Sequence, residues 1–429
     1  MSTRRDFLKF GGGAAALSIM TACQPQPPAT ESAKQDFAMI DFDQSISRLG
    51  TDSVKWDGRS AVFGTDDVVP LWVADMDFAS PPAVRSALAA RAAHPVYGYT
   101  QFPERLYDAL IAWQKQRHAW EVEREWVAPM PGVVPVLYAA VRAFTREGDG
   151  VIVQPPVYTP FFSAVTENDR RLILNPLREQ DGHYSMDFEH LEQCARDGGK
   201  LLLLCSPHNP VGRVWRRDEL ETLLAIARKH DLIVVSDEIH ADLVYAPNTH
   251  IPLATLEDLP ERVITALAPS KSFNIPGMGL AFMLCGEPEL RSRVRQEFTR
   301  LHIENNNPFS IAAAEAAYRH GAPWLDELMA YLAQTQEAVL DYCAAHLPGI
   351  HPLRSEGTFL MWLDCRALMK ARGLDDMTMQ KLLVEKAKVG MSPGLIYGKA
   401  GEGFMRLNLG APRQVIMDAL ERIRLALAA

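Results

Sequence analysis

Cysteine is scarce in this 429-residue chain: there are six, and apart from Cys23 they are odd in number and far apart, at Cys194, Cys205, Cys285, Cys343 and Cys365. No pair is spaced C-x-x-C, so neither a disulfide scaffold, a zinc knuckle nor a thioredoxin-type redox site is indicated. Cys205 and Cys285 sit in apolar runs (LLLLCSP and AFMLCG) and are expected in the core. The HExxH pattern is also missing, and Asp237-Glu238-Ile239-His240 has no further His or carboxylate at ligand spacing, so no metal site is expected. Positive charge is in deficit, with 44 Lys and Arg against 53 Asp and Glu and a net charge of −9, which disfavours broad attraction to nucleic acid phosphates. The one basic run, Arg291, Arg293, Arg295 and Arg300, is expected to be the wet face of a helix. No internal repeat or long low-complexity tract occurs, and the length allows two or three structural units around a large core.

Residues 1–36 stand apart from the rest. They carry paired Arg4 and Arg5, an apolar stretch from Gly11 to Ala22, Cys23 and a Pro/Gln/Ala-rich tether. The apolar stretch falls short of the about 20 residues that cross a bilayer, so it reads as an export signal and not a membrane helix. Thr3-Arg4-Arg5-Asp6-Phe7-Leu8-Lys9 resembles the twin-arginine export motif, and Thr21-Ala22-Cys23 resembles a bacterial lipoprotein cleavage box with Met20 where Leu is more usual. The expectation is a protein carried folded to the periplasm or the extracytoplasmic face of a bacterial membrane, held there only by a lipid on Cys23. A folded export route means that any cytosolic cofactor is acquired before departure.

Beyond the tether, residues 37–80 are irregular, with Trp56, Gly58 and Gly64 among polar residues, and read as an arm that joins a small domain. Ser80-Pro81-Pro82 opens a helix to about Ala93, with Ser80 expected as its cap. Helices follow over Glu104–Trp120 and, after Pro131-Gly132, over Val133–Thr145. Short apolar runs then alternate with helix-length stretches such as Arg217–His230: VIVQ (151–154), RLILNP (171–176), KLLLLCSP (200–207), LIVVSDE (232–238), VITALAPS (263–270) and AFMLCG (281–286). That alternation predicts an α/β three-layer sandwich around a mostly parallel sheet, with residues 81–321 as the large domain. A helical region over Asn307–Leu347 and isolated strands at GTFLMWLD (357–364) and FMRLNLG (404–410) predict a smaller C-terminal α+β domain over 322–429.

Ligands of such sheets sit at the carboxyl ends of the strands, and the informative residues stand there. Asp237 ends one apolar run, where a carboxylate can hold a ring nitrogen protonated. Lys271 follows another in Ala-Pro-Ser-Lys, where an amine can form a Schiff base with a carbonyl. Asn209 in Ser-Pro-His-Asn-Pro offers an amide donor. Gly132-Val133-Val134 opens a helix, whose free amides suit a phosphate. Singly, each has an ordinary explanation as a cap, turn or surface residue. Together, in this order, they describe an aldehyde cofactor with a phosphate tail, an acidic ring partner and a lysine anchor. Gly277-Met278-Gly279 reads as a close-packing turn and His208 as a turn residue.

The segments LWVADMDFASPP, VYGYT, PGVVPVLY, QPPVYTPF, CSPHNPVGRVW, VVSDEIHADLVY, APSKSFNIPG, GAPWLDEL, GTFLMWLD and GFMRLNLGAPR resemble the fold-type I pyridoxal-phosphate enzymes related to class I/II aminotransferases. Within them the chain resembles the MalY/PatB group of cystathionine β-lyase-like C–S lyases, over nearly all of residues 37–426. The resemblance implies that Lys271 anchors pyridoxal 5'-phosphate and acts as base at the substrate Cα, and that Asp237 pairs with the pyridinium nitrogen. It implies that Asn209 donates to the phenolic oxygen, that His240 stands where the wider family places a Tyr for a similar contact, and that Tyr158 stacks on the ring. Arg406 would clamp the substrate carboxylate, and strand alternation puts it on one face with Phe404 and Asn408. Two positions depart from the aminotransferase pattern: Gly279 replaces an arginine eight residues after the lysine, and Ala268 replaces a serine three before it. The phosphate would then rest on Gly132, Val133, Val134 and Ser270, with Tyr99, or alternatively Tyr97, reaching in from the second subunit of a homodimer that shares its active sites. The implied activity is β-elimination from cystathionine or a similar cysteine S-conjugate. A PLP-dependent aminotransferase, and an exported binding or regulatory protein on a lyase fold, stay open as alternatives.

Overall fold

The structure is a computed structural model that describes residues 40–256, 262–303 and 307–428. The export motif, Arg4, Arg5 and Cys23 lie outside the described residues. Seven strands form the main sheet: β1 (Val127–Met130), β2 (Gly150–Val153), β3 (Arg171–Leu174), β4 (Gly199–Cys205), β5 (Ile233–Asp237), β6 (Val263–Leu267) and β7 (Ala281–Leu284). Their spatial order is β1-β7-β6-β5-β4-β2-β3. Every neighbouring pair from β6 to β3 is parallel, while β7 runs antiparallel to both β6 and β1. The six apolar runs all become strands; β1, in the sequence WVAPM, is an additional strand whose Pro129 interrupts the Val/Ile/Leu signature of the others.

The apolar runs are continuous because both sheet faces are covered. On β4, Leu201, Leu203 and Cys205 belong to one buried cluster and Leu202 and Leu204 to another. The first cluster includes Val136, Leu137 and Val141 of helix α1 (Val133–Phe144) and Val294 and Phe298 of α3 (Pro288–Arg300), while the second includes Leu220, Leu223 and Leu224 of α2 (Arg217–Lys229). The outer side of α3 exposes Arg293, Arg295 and Arg300 as its arginine run predicts, whereas Arg291, the fourth of the run, is half-buried and donates to the Cys285 carbonyl at 2.6 Å. Cys194, Cys205, Cys285, Cys343 and Cys365 are all buried free thiols.

A second, four-stranded antiparallel sheet has the order β8-β9-β11-β10, with β8 at His351–Pro352, β9 at Leu360–Asp364, β10 at Ser392–Pro393 and β11 at Phe404–Asn408. The helical stretch before it is two helices, Pro308–His320 and Ala322–His346, divided at Gly321. A Cβ there would lie 2.4 Å from the Phe273 ring and 2.5 Å from the Ala317 carbonyl, so the close approach admits only glycine.

One local expectation is corrected. Ser80 does not cap the helix Pro82–Ala93; Pro81 holds the cap position, and the Ser80 hydroxyl donates to the Asn274 carbonyl at 3.0 Å. The hydroxyl serves a tertiary contact that reaches 194 residues along the chain, which a local propensity cannot register.

Candidate active site

Sheet register brings the chemistry together. Asp237 is level with Cys205 on one side and Ala266 on the other, so the segments that leave β4, β5 and β6 start from one line. Asn209 follows four residues after Cys205 and Lys271 five after Ala266, in the helical turn Pro269–Ser272. These segments and the amino end of α1 enclose a cavity of about 210 Å3 whose walls include Gly132, Val133, Val134, Tyr158, Asn209, Asp237, His240, Ser270 and Lys271. Arg406 lies beside it: its Nη1 donates to Asn209 Oδ1 at 3.1 Å, its Nη2 donates to the Trp72 carbonyl, and its guanidinium carbon stands 5.0 Å from the Tyr397 ring centre. Tyr99 is not in this cavity. It projects fully into solvent from the loop before Glu104, whereas Tyr97 donates to the Ala92 carbonyl and packs on Phe309.

The amino end of α1 has no side-chain cap at Gly132, so its first amides open on the cavity. Opposite, Gly279 closes the turn Pro276–Met278 in the left-handed region (φ 60°), and a Cβ there would have nothing nearer than the Pro131 carbonyl at 3.9 Å. Gly279 therefore leaves open the space that a long side chain would take, and Ala268 adds a methyl to the same wall.

Withdrawal from water sets the electrostatics. Burial pushes the Asp237 carboxyl up to about 7; the Ile239 N–H at 3.1 Å and the charge of Lys271 oppose this without cancelling it. Removal from bulk water pushes the Lys271 amine down to about 8, with Asp75 and Asp237 pulling it upward and Arg406 adding to the fall. His240 is driven down to about 3 by burial, helped by Lys271 and Arg406, so its imidazole is neutral. Tyr158 is raised, again mainly by burial. Two buried donors or acceptors here have no hydrogen-bond partner among the described residues: Arg406 Nε and His240 Nδ1. His208 takes no part, since its Nε2 contacts the Pro156 carbonyl at 2.9 Å and its ring packs edge-on to Trp215.

Sequence reasoning missed the wall formed by Trp72–Asp77. Lys271 Nζ donates to the Ala74 carbonyl at 2.6 Å, and Asn408 Nδ2 donates to the carbonyls of Val73 and Asp75. The segment LWVADMDF is visible as a motif, but its contribution is a row of backbone carbonyls, which side-chain chemistry does not advertise.

A pyridine-sized, phosphate-ready cavity with a desolvated lysine, at the carboxyl edge of a parallel sheet, defines the class: the family profile for aminotransferase class I and II matches residues 66–423, and the chain belongs to that family. Within it the chain belongs to the MalY/PatB group. It is 42% identical to cystathionine beta-lyase PatB of Bacillus subtilis over 391 residues, covering 91% of this chain and 100% of that one, and 35% identical to protein MalY of Escherichia coli, covering 87% and 95%. Among solved structures it is similar to cystalysin from Treponema denticola, which contains a pyridoxal 5'-phosphate cofactor, with a TM-score of 0.88 and 38% identity over 91% of this chain and 99% of that one.

Proposed function

We propose that this protein is a pyridoxal 5'-phosphate-dependent carbon–sulfur β-lyase that cleaves cystathionine or a related cysteine S-conjugate to a thiol, pyruvate and ammonia. One observation carries the cofactor assignment, a lysine amine lowered to about 8 and a buried carboxylate raised to about 7 that face the same cavity beside a buried guanidinium with a free Nε, and the similarity to cystathionine beta-lyase PatB favours β-elimination over transamination there. The residues fit the cofactor. Asp237 has a single backbone partner and lacks the N–H donor that a protonated ring nitrogen provides. Asn209 spends its Oδ1 on Arg406, which leaves its Nδ2 to donate to the phenolic oxygen. His240 is neutral with an unpaired Nδ1 for the same region, Tyr158 offers a ring face, and Gly132, Val133, Val134 and Ser270 surround the phosphate position.

When bound, pyridoxal phosphate supplies an electrophilic carbonyl and an electron-accepting ring. Lys271 contributes a nucleophilic amine whose neutral form, with the amine lowered to about 8, is roughly a tenth of the population at pH 7 and far more than for an ordinary lysine, and, once displaced by the substrate amine, a base for the Cα proton. Asp237 keeps the ring nitrogen protonated by accepting its hydrogen bond. Arg406 orients the substrate by its α-carboxylate, so that the Cα–H bond faces Lys271. Lys271 takes the Cα proton, the electron pair left on Cα forms a Cα=Cβ bond as sulfur departs with the Cβ–S pair, the departing thiolate takes up a proton to become the thiol, and water hydrolyses the remaining fragment to pyruvate and ammonia.

The homodimer belongs to the same proposal: Tyr97 is engaged within its own chain, and the exposed Tyr99 is free to complete the phosphate site of a second copy. The export address, supported by Arg4-Arg5 and the Thr21-Ala22-Cys23 box, puts the enzyme in the periplasm or on the outer side of the membrane, with Cys23 as lipid anchor. The separate four-stranded sheet supports a small domain of residues 322–429 joined by the 37–80 arm, beside a large domain of 81–321. The deciding assay supplies L-cystathionine to the pyridoxal-phosphate-loaded protein and follows pyruvate and free thiol. Pyruvate without an amine acceptor is expected; a keto acid formed only with an acceptor would make the protein an aminotransferase, and a chain that never binds the cofactor would be a binding protein. Mass spectrometry of the mature N-terminus tests Cys23.

A further inference from the structure

The wall Trp72–Asp77 has no regular secondary structure beside the site, yet both reactive cations rest on it: Lys271 on the Ala74 carbonyl and Arg406 on the Trp72 carbonyl. Its outer side is held by a charge cluster. Arg48 donates through Nη2 to Asp75 Oδ2 at 2.7 Å and through Nη1 to Asp75 Oδ1 at 3.1 Å and Asp77 Oδ1 at 2.8 Å. Lys55, with no exposed surface, adds a 2.8 Å bond to Asp77 Oδ2, and the Trp56 indole donates to Asp77 Oδ1 at 2.9 Å.

We infer that Arg48 is a positioning residue for the reaction: by bridging Asp75 and Asp77 it fixes the segment whose carbonyls receive Lys271 and Arg406 and offsets the charge of Asp75, which acts on the Lys271 amine. It touches neither reactive group itself. Burial works against the Arg48 charge, but the two carboxylates outweigh it and hold the guanidinium protonated. The other charges acting on Lys271 are Arg406 of β11 and Asp237 of β5, with neutral His240 and Tyr158 also on the cavity wall. Of the two carboxylates, Asp75 acts more strongly on the amine, and it is the one Arg48 grips with both nitrogens. Uncovering Asp75 favours the protonated nitrogen at Lys271; deleting its charge favours the neutral one.

This rests on Lys271 holding the cofactor, and the test separates the two. The visible absorption of the loaded protein is titrated against pH, and in parallel the rate at which the cofactor-free protein takes up pyridoxal phosphate is measured against pH. Arg48→Met is expected to move both midpoints up by about half a pH unit or more, Asp75→Asn to move them down by a similar amount, and Arg48→Lys to restore most of the wild-type value. Loosening of the segment alone would not produce shifts of opposite sign. Midpoints that stay put, or move together in the two variants, overturn the inference; if Arg48→Met does not fold, the absence of a downward shift in Asp75→Asn does so alone. A wild-type protein that develops no visible band overturns the cofactor assignment, and this inference with it.

Discussion

Two walls meet at the cavity and are built on different principles. The sheet wall takes Asn209, Asp237 and Lys271 from the ends of adjacent parallel strands, where the hydrogen-bond ladder sets Cys205, Asp237 and Ala266 level before any side chain is considered. The facing wall, Trp72–Asp77, has no ladder there, so its carbonyls are satisfied one by one by side chains: Arg406 at Trp72, Asn408 at Val73 and Asp75, Lys271 at Ala74 and Asn274 at Met76. A buried carbonyl without a partner costs about as much as a lost hydrogen bond, so each pairing is required. The sheet wall is fixed by backbone repetition, and the facing wall by side chains that include the two cations proposed to do the chemistry, Lys271 and Arg406. Substitutions on the second wall should therefore disturb position and reactivity together, while those on the first should separate them.

The largest effect is expected at the lysine where the walls touch. Lys271→Ala removes anchor and base, and a kcat loss of at least on the order of 10^3-fold, with loss of the visible band, is what steady-state kinetics and absorption should show. Retained activity would mean that another base serves the Cα proton. Arg406→Lys comes next. A lysine cannot serve Asn209, the Trp72 carbonyl and a substrate carboxylate from one fork, so kcat/KM should drop by roughly 10^2-fold and the loss should include the position of Trp72–Asp77; an effect confined to KM would show that the two roles of Arg406 are separable.

Asp237, on the sheet wall, should separate stability from reactivity. Its carboxyl, near 3.8 when unfolded, is raised to about 7 in the fold. A raised value means that the native state binds the extra proton between these limits, so the stability tied to neutral Asp237 is fully present below about pH 3.8 and is lost as pH rises through about 7. Cofactor-free Asp237→Asn should match wild type near pH 4 and exceed it at pH 8 in chemical denaturation, while its lyase activity collapses. A variant less stable than wild type at pH 8 would show that the charged carboxylate has a partner in the cofactor-free fold. The smallest effect is expected at Ala268→Ser, which returns a hydroxyl to the phosphate side; equilibrium titration should show cofactor binding a few-fold tighter, about 0.5–1.5 kcal/mol. No change would mean that the hydroxyl does not reach the phosphate.

Much of the sheet wall was legible. Apolar runs bounded by turn residues marked six of the seven strands, and the polar residues after them were Asn209, Asp237 and Lys271. β1 escaped because Pro129 broke the pattern, and Ser80 was misplaced because its partner, Asn274, is remote in sequence. Arg406 was readable from the family resemblance, with strand alternation in support, though its bonds to Asn209 and Trp72 were not. Tyr97 and Tyr99 could not be told apart by residue type; in the fold Tyr97 donates to the Ala92 carbonyl and Tyr99 is fully exposed.

Taken alone, the sequence determined the parallel sheet, the strand ends that carry reactive groups and the kind of cofactor they suit, because hydrophobic period and residue chemistry are local properties. Tertiary structure alone decided that a lysine, a carboxylate and an arginine would share one desolvated space, and that an irregular arm would close it. Proton affinities near 7 for Asp237 and near 8 for Lys271 depend on water being excluded by residues nearly two hundred positions away, and no local pattern encodes that exclusion.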